Sequence, residues 1–481
     1  MTTRPLCVAL SIALVGCAGV RKEAPPEAAV HAPATWRTTT MTHGPALPSS
    51  WWTAFDDETL NRLVEEALAH NDDVALAATN VEEARAQFHF ARAQRLPSVG
   101  LSVVGARDRE VNSAFGVPEE QTAGEGVVEA GFDVDLFGRL KAGSQAARSA
   151  LLASEYARDT VRLGVATSVV NGYLTLLALD ARMEILRRTL DVRRDELHVE
   201  EKRFAAGYSN RLELARAQTE LAATEQLIPA TDLAIARQED GLSILVGRAP
   251  GDIARGVGFD KVELPAIPGA LPSTVLRSRP DLAAAEARLA ATDHNLDAVR
   301  AAFLPDIKLA VSTGQVRSTL IDSNPVSIWS VGGSILAPIF EAGRLEAQQD
   351  QAVAERNEAA FAYRKAALQA FREVEDDLVA LARDAEQDEA LGREHEAVET
   401  AFRVSTQRYK EGYASHLDQL DAQRNLLSVE LALVQSRLDR LNAAASLFQA
   451  LGGGWTPEPA HGSPTHARAA SGETALVKQV H

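Results

Sequence analysis

Cysteine, aromatic residues and long apolar runs are all scarce in this sequence. Its 481 residues include two cysteines, Cys7 and Cys17, both near the N-terminus, which excludes a disulfide framework for the body of the chain. Aromatic residues make up 5% of the chain. No apolar run reaches the roughly 18 to 20 residues that a transmembrane helix needs. A chain of this composition is therefore expected to enter a membrane through β-strands or an attached lipid.

Positive charge and catalytic motifs are also lacking. The chain has 49 Lys+Arg against 66 Asp+Glu and no basic patch, so nucleic acid is not expected as a partner. There is no P-loop and no GxSxG element. His70, His89, His198 and His395 lie in helical surroundings without metal-ligand spacing, and His461 and His466 lie in the tail. We expect a protein that is not an enzyme and needs no cofactor or metal, so the energy for any transport comes from a partner.

The first 17 residues predict export and lipid attachment. Arg4 precedes an apolar run that starts at Pro5, which is typical of a short secretory signal. The signal ends in Gly16-Cys17, which resembles a bacterial lipobox with Cys17 as the acylated residue; cleavage near Ala18 is the alternative. Residues 1–16 are predicted to be removed. Residues 17–50, rich in Pro, Ala and Thr, are predicted to form an extended tether.

Four segments show the two-residue period of β-strands. Their alternating apolar residues include Val99, Leu101 and Val103; Val128, Phe132 and Val134; Ile307, Leu309 and Val311; and Trp329, Val331 and Ile335. Polar, small or acidic residues occupy the positions between them, most clearly in the second segment. One apolar and one polar face are typical of a membrane barrel, with lipid outside and water inside. A half-buried hairpin of a soluble domain is the alternative.

Two helical segments are far longer than a globular core requires. They follow Gly138 and Gly343 and reach about Phe204 and Lys410. At 1.5 Å per residue, roughly 67 residues make a rod of about 100 Å. Leucines at spacings of three, four and seven predict coiled-coil packing. Shorter helical segments before each strand pair and after each long helix have the summed length to lie end to end beside it.

The ends of the two long helices resemble each other. Residues 203–218 read RFAAGYSNRLELARAQ, and residues 408–423 read RYKEGYASHLDQLDAQ. Gly207 and Gly412 can take the positive φ that ends a helix, and they are 205 residues apart. We infer an internal duplication. The predicted units are residues 51–256 for the first repeat, 257–455 for the second, and 456–481 for a disordered tail.

These features, in this order and duplicated, resemble the TolC-like outer-membrane efflux proteins, and especially their lipoprotein branch of NodT-like and OprM-like channels. The resemblance implies a fold that is mainly α with β. Duplicated long α-helical hairpins would form a periplasmic α-barrel, and four β-strands per chain would contribute to the 12-stranded outer-membrane β-barrel of a homotrimer.

The same resemblance implies a passive exit duct for small molecules, lipid-anchored in the outer membrane of a Gram-negative cell. It would work with a periplasmic adaptor protein and an inner-membrane RND-type pump. A type I protein secretion channel and a non-conducting periplasmic coiled-coil scaffold are the alternatives. The identity of the transported compound does not follow from the resemblance.

The resemblance also implies roles for residues at the ends of the helices. Asp418 and Asp421 match an Asp-x-x-Asp pair that the family places at its periplasmic constriction, and Tyr409 matches a tyrosine that hydrogen-bonds near it. The acids would also suit a first helical turn through the helix dipole alone. The candidate residues for adaptor docking are Gly207, Tyr208, Gly412 and Tyr413. Helix termination alone would explain the two glycines.

Overall fold

The computed structural model describes residues 25–37, 47–112, 116–267, 269, 272–320, 322–323 and 325–456. The predicted signal peptide, Cys17 and the tail from residue 457 onwards lie outside the described residues. The helices of the first half are α1 Glu58–His70, α2 Asp72–Ala93, α3 Arg139–Ala205, α4 Arg211–Glu225 and α5 Leu227–Leu245. Those of the second half are α6 Pro272–Ser278, α7 Pro280–Ala301, α8 Arg344–Lys410 and α9 His416–Ala450. The strands are β1 Ser98–Asn112, β2 Val117–Val134, β3 Asp306–Ser318 and β4 Val326–Leu336.

The two halves repeat one order of elements, a helix pair, a strand pair, a long helix and a returning helix. Both long helices, α3 and α8, contain 67 residues. The returning helix is continuous in the second half and divided into α4 and α5 in the first. Pro229 is the third residue of α5. Proline has no N–H, and this is tolerated there because the first N–H groups of a helix have no acceptor within the helix. This proline explains why the first returning helix is divided before α5. Helix α9 contains no proline and is continuous.

The shorter helices line the long ones along their length, as the lengths in the sequence predict. Helices α2, α4 and α5 pack against α3, while α7 and α9 pack against α8. In addition, α7 and α9 both contact α3, so the two halves interlock into one body. The main core surrounds the middle of α3 and includes Trp51, Phe55, Tyr173 and Phe448.

Helix α3 bears on the expectation that no segment of the chain is long and apolar enough to form a transmembrane helix. Among the described helices it is long and apolar enough, by length and composition alone, to cross a membrane. Its most apolar window is 56% buried inside the protein, and Val169, Val170 and Tyr173 in this region are fully buried. Burial of this kind is typical of a core helix, and the apolar residues of α3 are accounted for by packing.

The four strands form one antiparallel sheet in the order β1-β2-β3-β4. Cross-strand partners such as Leu101 and Val128, or Val311 and Val331, place the apolar residues on one face. These side chains are exposed; Leu101 is 72% and Val331 69% accessible. The opposite face carries Glu129 and small polar residues. The predicted division into an apolar and a polar face is present in the part of the sheet next to the helices, and it ends towards the β1–β2 turn, where Arg107 and Glu120 occupy the face of Leu101.

The second strand is longer than the sequence pattern indicated. It begins at Val117, 11 residues before the predicted start at Val128. Residues 117–127 include three Glu, a Gln and two Gly, which obscure the alternation. They form a strand because β1 pairs with them along their whole length, up to Asn112 opposite Val117.

The described residues 25–37, which precede the folded body, contact helix α8. Trp36 is 8% exposed and packs edge-on against Phe371 of α8, with ring centroids 6.4 Å apart. The backbone N–H of Arg37 donates to the Glu375 carboxylate at 2.9 Å. Over these residues the tether expected from composition is docked on α8, because a tryptophan within it finds an apolar site.

Candidate functional site at the ends of the long helices

Both long helices end in the same backbone motif. Gly207 has φ 79° and Gly412 has φ 81°. The N–H of the following tyrosine donates to a carbonyl five residues back: Tyr208 to Arg203 and Tyr413 to Arg408, each at 2.8 Å. This is a Schellman cap, and a positive φ is what the motif requires of the glycine. A Cβ at either glycine would meet no atom within 4 Å, so backbone conformation alone requires glycine there.

The next helices begin with polar caps. The Asn210 side chain accepts from the N–H of Glu213, and Ser415 forms a capping box with Asp418. Asn210 is therefore the N-cap of α4. The Ser209 hydroxyl instead lies between the carboxylates of Glu200 and Glu213, at 2.9 and 2.8 Å, and its one hydrogen can be donated to either of them. The two tips thus reach the same geometry with different capping residues.

The two tip tyrosines project into solvent. Tyr208 is 87% exposed and Tyr413 is 75% exposed. Each tyrosine follows its Schellman glycine directly, so the backbone motif places its Cα at the turn. The structure therefore presents an aromatic ring at each turn, at the same position of both repeats.

Tyr409 is half-buried and links helix α8 to helix α3. Its hydroxyl donates to the carboxylate of Glu200, a residue that is 1% exposed. The guanidinium of Arg203 stands 4.6 Å from the Tyr409 ring centre, and the His416 ring stacks on it at 5.2 Å. Burial, followed by the hydrogen bond to Glu200, raises the pKa of the Tyr409 phenol. The phenol stays a donor at neutral pH and fastens the two helices together.

Asp418 and Asp421 lie one turn apart on the exposed side of α9. The Asp418 carboxylate accepts from the N–H of Ser415 at 3.2 Å, as part of the capping box. Asp421 pairs with Arg424 of its own helix at 3.2 Å. Their polar partners are therefore different from those of Tyr409. The structure brings the two acids together and leaves both carboxylates exposed at the tip.

A buried charge cluster near the tip was missed from the sequence. Arg193 of α3 is 4% exposed and pairs with Glu220 of α4 at 3.1 Å. Arg424 of α9 binds the same carboxylate, so the cluster joins three helices. The signal was present in outline, since Arg193 falls at a seam position three residues after Leu190. In the described parts of the chain, no group of three or more His, Cys, Asp or Glu is placed to hold a metal ion.

The comparisons with known proteins agree on one family. The family described as outer membrane efflux protein matches residues 63–248 and 271–453. The pyoverdine export outer membrane protein OpmQ of Pseudomonas putida is 33% identical over 472 residues, which cover 96% of this chain and 99% of OpmQ. The cation efflux system protein CusC of Escherichia coli is 31% identical over 411 residues, covering 85% and 88% of the two chains.

A solved structure gives the same result. The open state of the MtrE outer membrane channel of Neisseria gonorrhoeae superposes with a TM-score of 0.81 at 28% identity. The alignment covers 91% of this chain and 98% of MtrE. The predicted fold class, mainly α with duplicated long helical hairpins and four strands, is confirmed. The chain therefore belongs to the outer membrane efflux protein family, as its paired tips and four-stranded sheet predicted.

Proposed function

We propose that three copies of this chain form the exit duct of a tripartite efflux pump, a passive channel through the outer membrane. The carrying observation is the sheet, because β1 and β4 are edge strands beside an exposed apolar face. Unpaired strand edges in lipid cost several kcal/mol per polar group, so the sheet needs strand partners. Three copies supply 12 strands, enough for a water-filled barrel.

We propose a periplasmic adaptor and an inner-membrane RND-type pump as partners. OpmQ is named an export protein and CusC a cation efflux protein, which supports a role in outward transport. Tyr208 and Tyr413 follow the C-terminal ends of the long helices α3 and α8. Each long helix begins soon after a strand, so these ends are the ones farther from the sheet. That end would reach into the periplasm and meet the adaptor, while the pump supplies the energy.

The tip turns are the proposed adaptor-docking residues, and a photo-crosslinker tests this. Gly207 and Gly412 fix the turns, and Tyr208 and Tyr413 supply the exposed rings. We expect a crosslinking amino acid at position 208 or 413 to capture the adaptor in cells. The control position is Leu76 in α2, which is 62% exposed and distant in sequence from both turns. Equal capture from position 76, or none from the tips, would contradict the assignment.

We propose that Asp418 and Asp421 line the periplasmic gate. In a trimer the pair would supply six carboxylates in a narrow ring, which would attract cations and repel anions. Asparagine at both positions removes the charge and keeps an oxygen that can cap the helix at Ser415. This matters because losing a cap costs about 1 kcal/mol and would confuse the result.

Planar bilayers test the channel and its gate together. We expect the wild-type trimer to conduct in steps and to prefer cations in a salt gradient. The variant Asp418→Asn with Asp421→Asn should leak more anionic solute and shift its reversal potential towards zero. Asp439→Asn is the control, an exposed acid further along α9. Wild type without stepwise conductance would refute the duct, and an unchanged reversal potential in the double variant would remove the acids from the gate.

We propose that an acylated Cys17 anchors the chain to the outer membrane. The proposal is supported by the position of Cys17 in the sequence, directly after the predicted signal and eight residues before Pro25, where the described segment begins. Labelled palmitate should enter the wild type and the Cys7→Ser variant, whose change lies in the signal. The Cys17→Ser variant should carry no label. Label retained in Cys17→Ser would place the lipid elsewhere.

A further inference from the structure

Three arginines lie on the face of Leu101, at the end of the sheet farther from the helices. Arg107 and Arg109 follow Leu101 by six and eight residues on β1, and Arg317 follows Leu309 by eight residues on β3. An even separation along a strand keeps side chains on one face, and the cross-strand register places Leu101 and Leu309 on the same face. All three arginine side chains are exposed.

The acidic residues at this end of the sheet lie mostly on the opposite face. They are Asp108, Glu110, Glu119 and Glu125. The one acid of these two strands that shares the face of the arginines is Glu120, whose carboxylate is 3.4 Å from the Arg107 guanidinium. Solubility alone would be served by either sign of charge on either face. The separation of the two signs therefore indicates a negatively charged neighbour on the side of the arginines.

Most hydrogen-bond donors of the three guanidinium groups are available. The side chains of Arg109 and Arg317 have no hydrogen bond or ion pair with any other described residue, and Arg107 is 75% exposed beside Glu120. A guanidinium presents five N–H donors in a rigid fork, and it binds phosphate through two parallel hydrogen bonds. Three such groups on one face therefore suit a phosphate group.

The arginines lie at the level where the apolar part of a barrel ends. Arg317 is ten residues after Ile307, the first apolar residue of β3 on this face. At about 3.4 Å per residue this is about 34 Å along the strand, and a strand tilt of roughly 40° reduces it to about 26 Å along the membrane normal. The apolar band of an outer-membrane barrel is about 25 Å tall. With the helices in the periplasm, the arginines would meet the headgroups of the outer leaflet.

Glycines form a shallow recess beside the arginines. Gly105, Gly124 and Arg317 are neighbours in one row across β1, β2 and β3, and Gly126 lies in the next row on the same face. A Cβ at Gly105 or Gly126 would meet no atom within 4 Å, and none of the three glycines has a positive φ. Neither crowding nor backbone conformation requires glycine here. The missing side chains leave a flat surface on which a sugar ring can lie.

We propose that this recess and the three arginines bind a phosphorylated glycolipid of the outer leaflet. Its phosphate binds the arginines, its sugar lies on the glycines, and its acyl chains follow Val103 and Val128, which are 76% and 45% exposed on the same face. The site rests on the proposed function, because the sheet must be part of an outer-membrane barrel. A phospholipid without a sugar would meet the arginines and leave the recess empty.

Native mass spectrometry of the purified trimer tests the class of lipid. The probes are lipid A with its two phosphates, the same lipid dephosphorylated, and phosphatidylglycerol. We expect phosphorylated lipid A to bind at least tenfold more tightly than either of the others. Equal binding of the dephosphorylated lipid or of phosphatidylglycerol would overturn the proposal. Displacement of lipid A by inorganic phosphate alone would also overturn it, since the site would then bind a free anion.

Variants of charge test the arginines. Arg317→Gln should weaken the binding of lipid A at least fivefold. The matched control is Lys308→Gln, because Lys308 is a cation of the same strand on the opposite face. This variant should bind as the wild type does. Glu120→Gln should strengthen binding at least twofold, because it removes a repelling carboxylate and releases Arg107. A damaged barrel would not bind lipid more tightly, so this gain is specific to the site.

Gly124→Val tests the recess with the arginines intact. Valine favours strands, so the trimer should form while its side chain fills the recess and weakens lipid A binding at least fivefold. A trimer of Gly124→Val or Arg317→Gln that binds as the wild type does would overturn the proposal. A wild-type trimer that conducts but does not prefer phosphorylated lipid A refutes this site alone. One that binds the lipid but never conducts refutes the duct and leaves the site in place.

Discussion

Val331→Arg is expected to stop the chain from assembling in the outer membrane, whereas Ser330→Arg is expected to be tolerated. Val331 is 69% exposed and pairs with Val311 on the apolar face of the sheet. Ser330 is the next residue and lies on the opposite face, where its hydroxyl is 2.8 Å from that of Ser312. The two variants add the same charge one residue apart, and only the face differs.

The expected difference follows from where each arginine would stand. A charged residue on the lipid face of a barrel costs about 2–4 kcal/mol at the middle of the bilayer. Three copies would cost the trimer roughly 6–12 kcal/mol, which is comparable with the whole net stability of a typical native protein. An arginine in the water-filled interior keeps its hydration, so Ser330→Arg loses only a hydroxyl contact.

Outer-membrane fractions and semi-native gels provide the measurement. Wild type and Ser330→Arg should both yield a trimer band that disappears on boiling. Val331→Arg should yield little or no trimer at equal synthesis. A trimer of Val331→Arg as abundant as the wild type would show that the apolar face does not meet lipid, and the barrel assignment would fail.

The sheet faces and the tips were predictable because they depend on local properties of the chain. Alternation along a strand decides which residues share a face, whatever the partner strand is. A glycine after a long helical pattern marks its end, because few other residues take positive φ. Gly207 and Gly412 occupy matching positions 205 residues apart, so each supported the other.

The side-chain contacts between helices were not predictable, because they join residues that are distant in sequence. Glu220 and Arg424 are 204 residues apart, and nothing near either residue indicates the other. Trp36 stands in a Pro- and Ala-rich segment that reads as a tether, and its site on Phe371 exists only after α8 has folded. Tyr409 illustrates the division. Its expected hydrogen bond came from the resemblance to the family, but its acceptor, Glu200, became clear only from the structure.

Gly452→Ala is expected to lower the stability of the trimer strongly. Gly452 ends α9 with φ 94°, and a Cβ there would stand 1.9 Å from the carbonyl oxygen of Ser278, the last residue of α6. The dihedral angle alone costs about 1–3 kcal/mol for a non-glycine residue. The overlap with backbone adds to this, because α6 must move away from the end of α9. Gly247 is the equivalent in the first half, with a Cβ 2.3 Å from the carbonyl oxygen of His70.

Gly392→Ala is the matched control, and its expected effect has the opposite sign. Gly392 lies inside α8 with no atom within 4 Å of an added Cβ, so alanine should stabilise the helix by about 0.4–1 kcal/mol. Thermal melting of the purified trimers compares the three proteins. The order Gly392→Ala, wild type, Gly452→Ala, from most to least stable, is expected. Equal melting midpoints for Gly452→Ala and wild type would contradict this prediction. They would show that the close contact between Gly452 and the end of α6 does not contribute to the stability of the trimer.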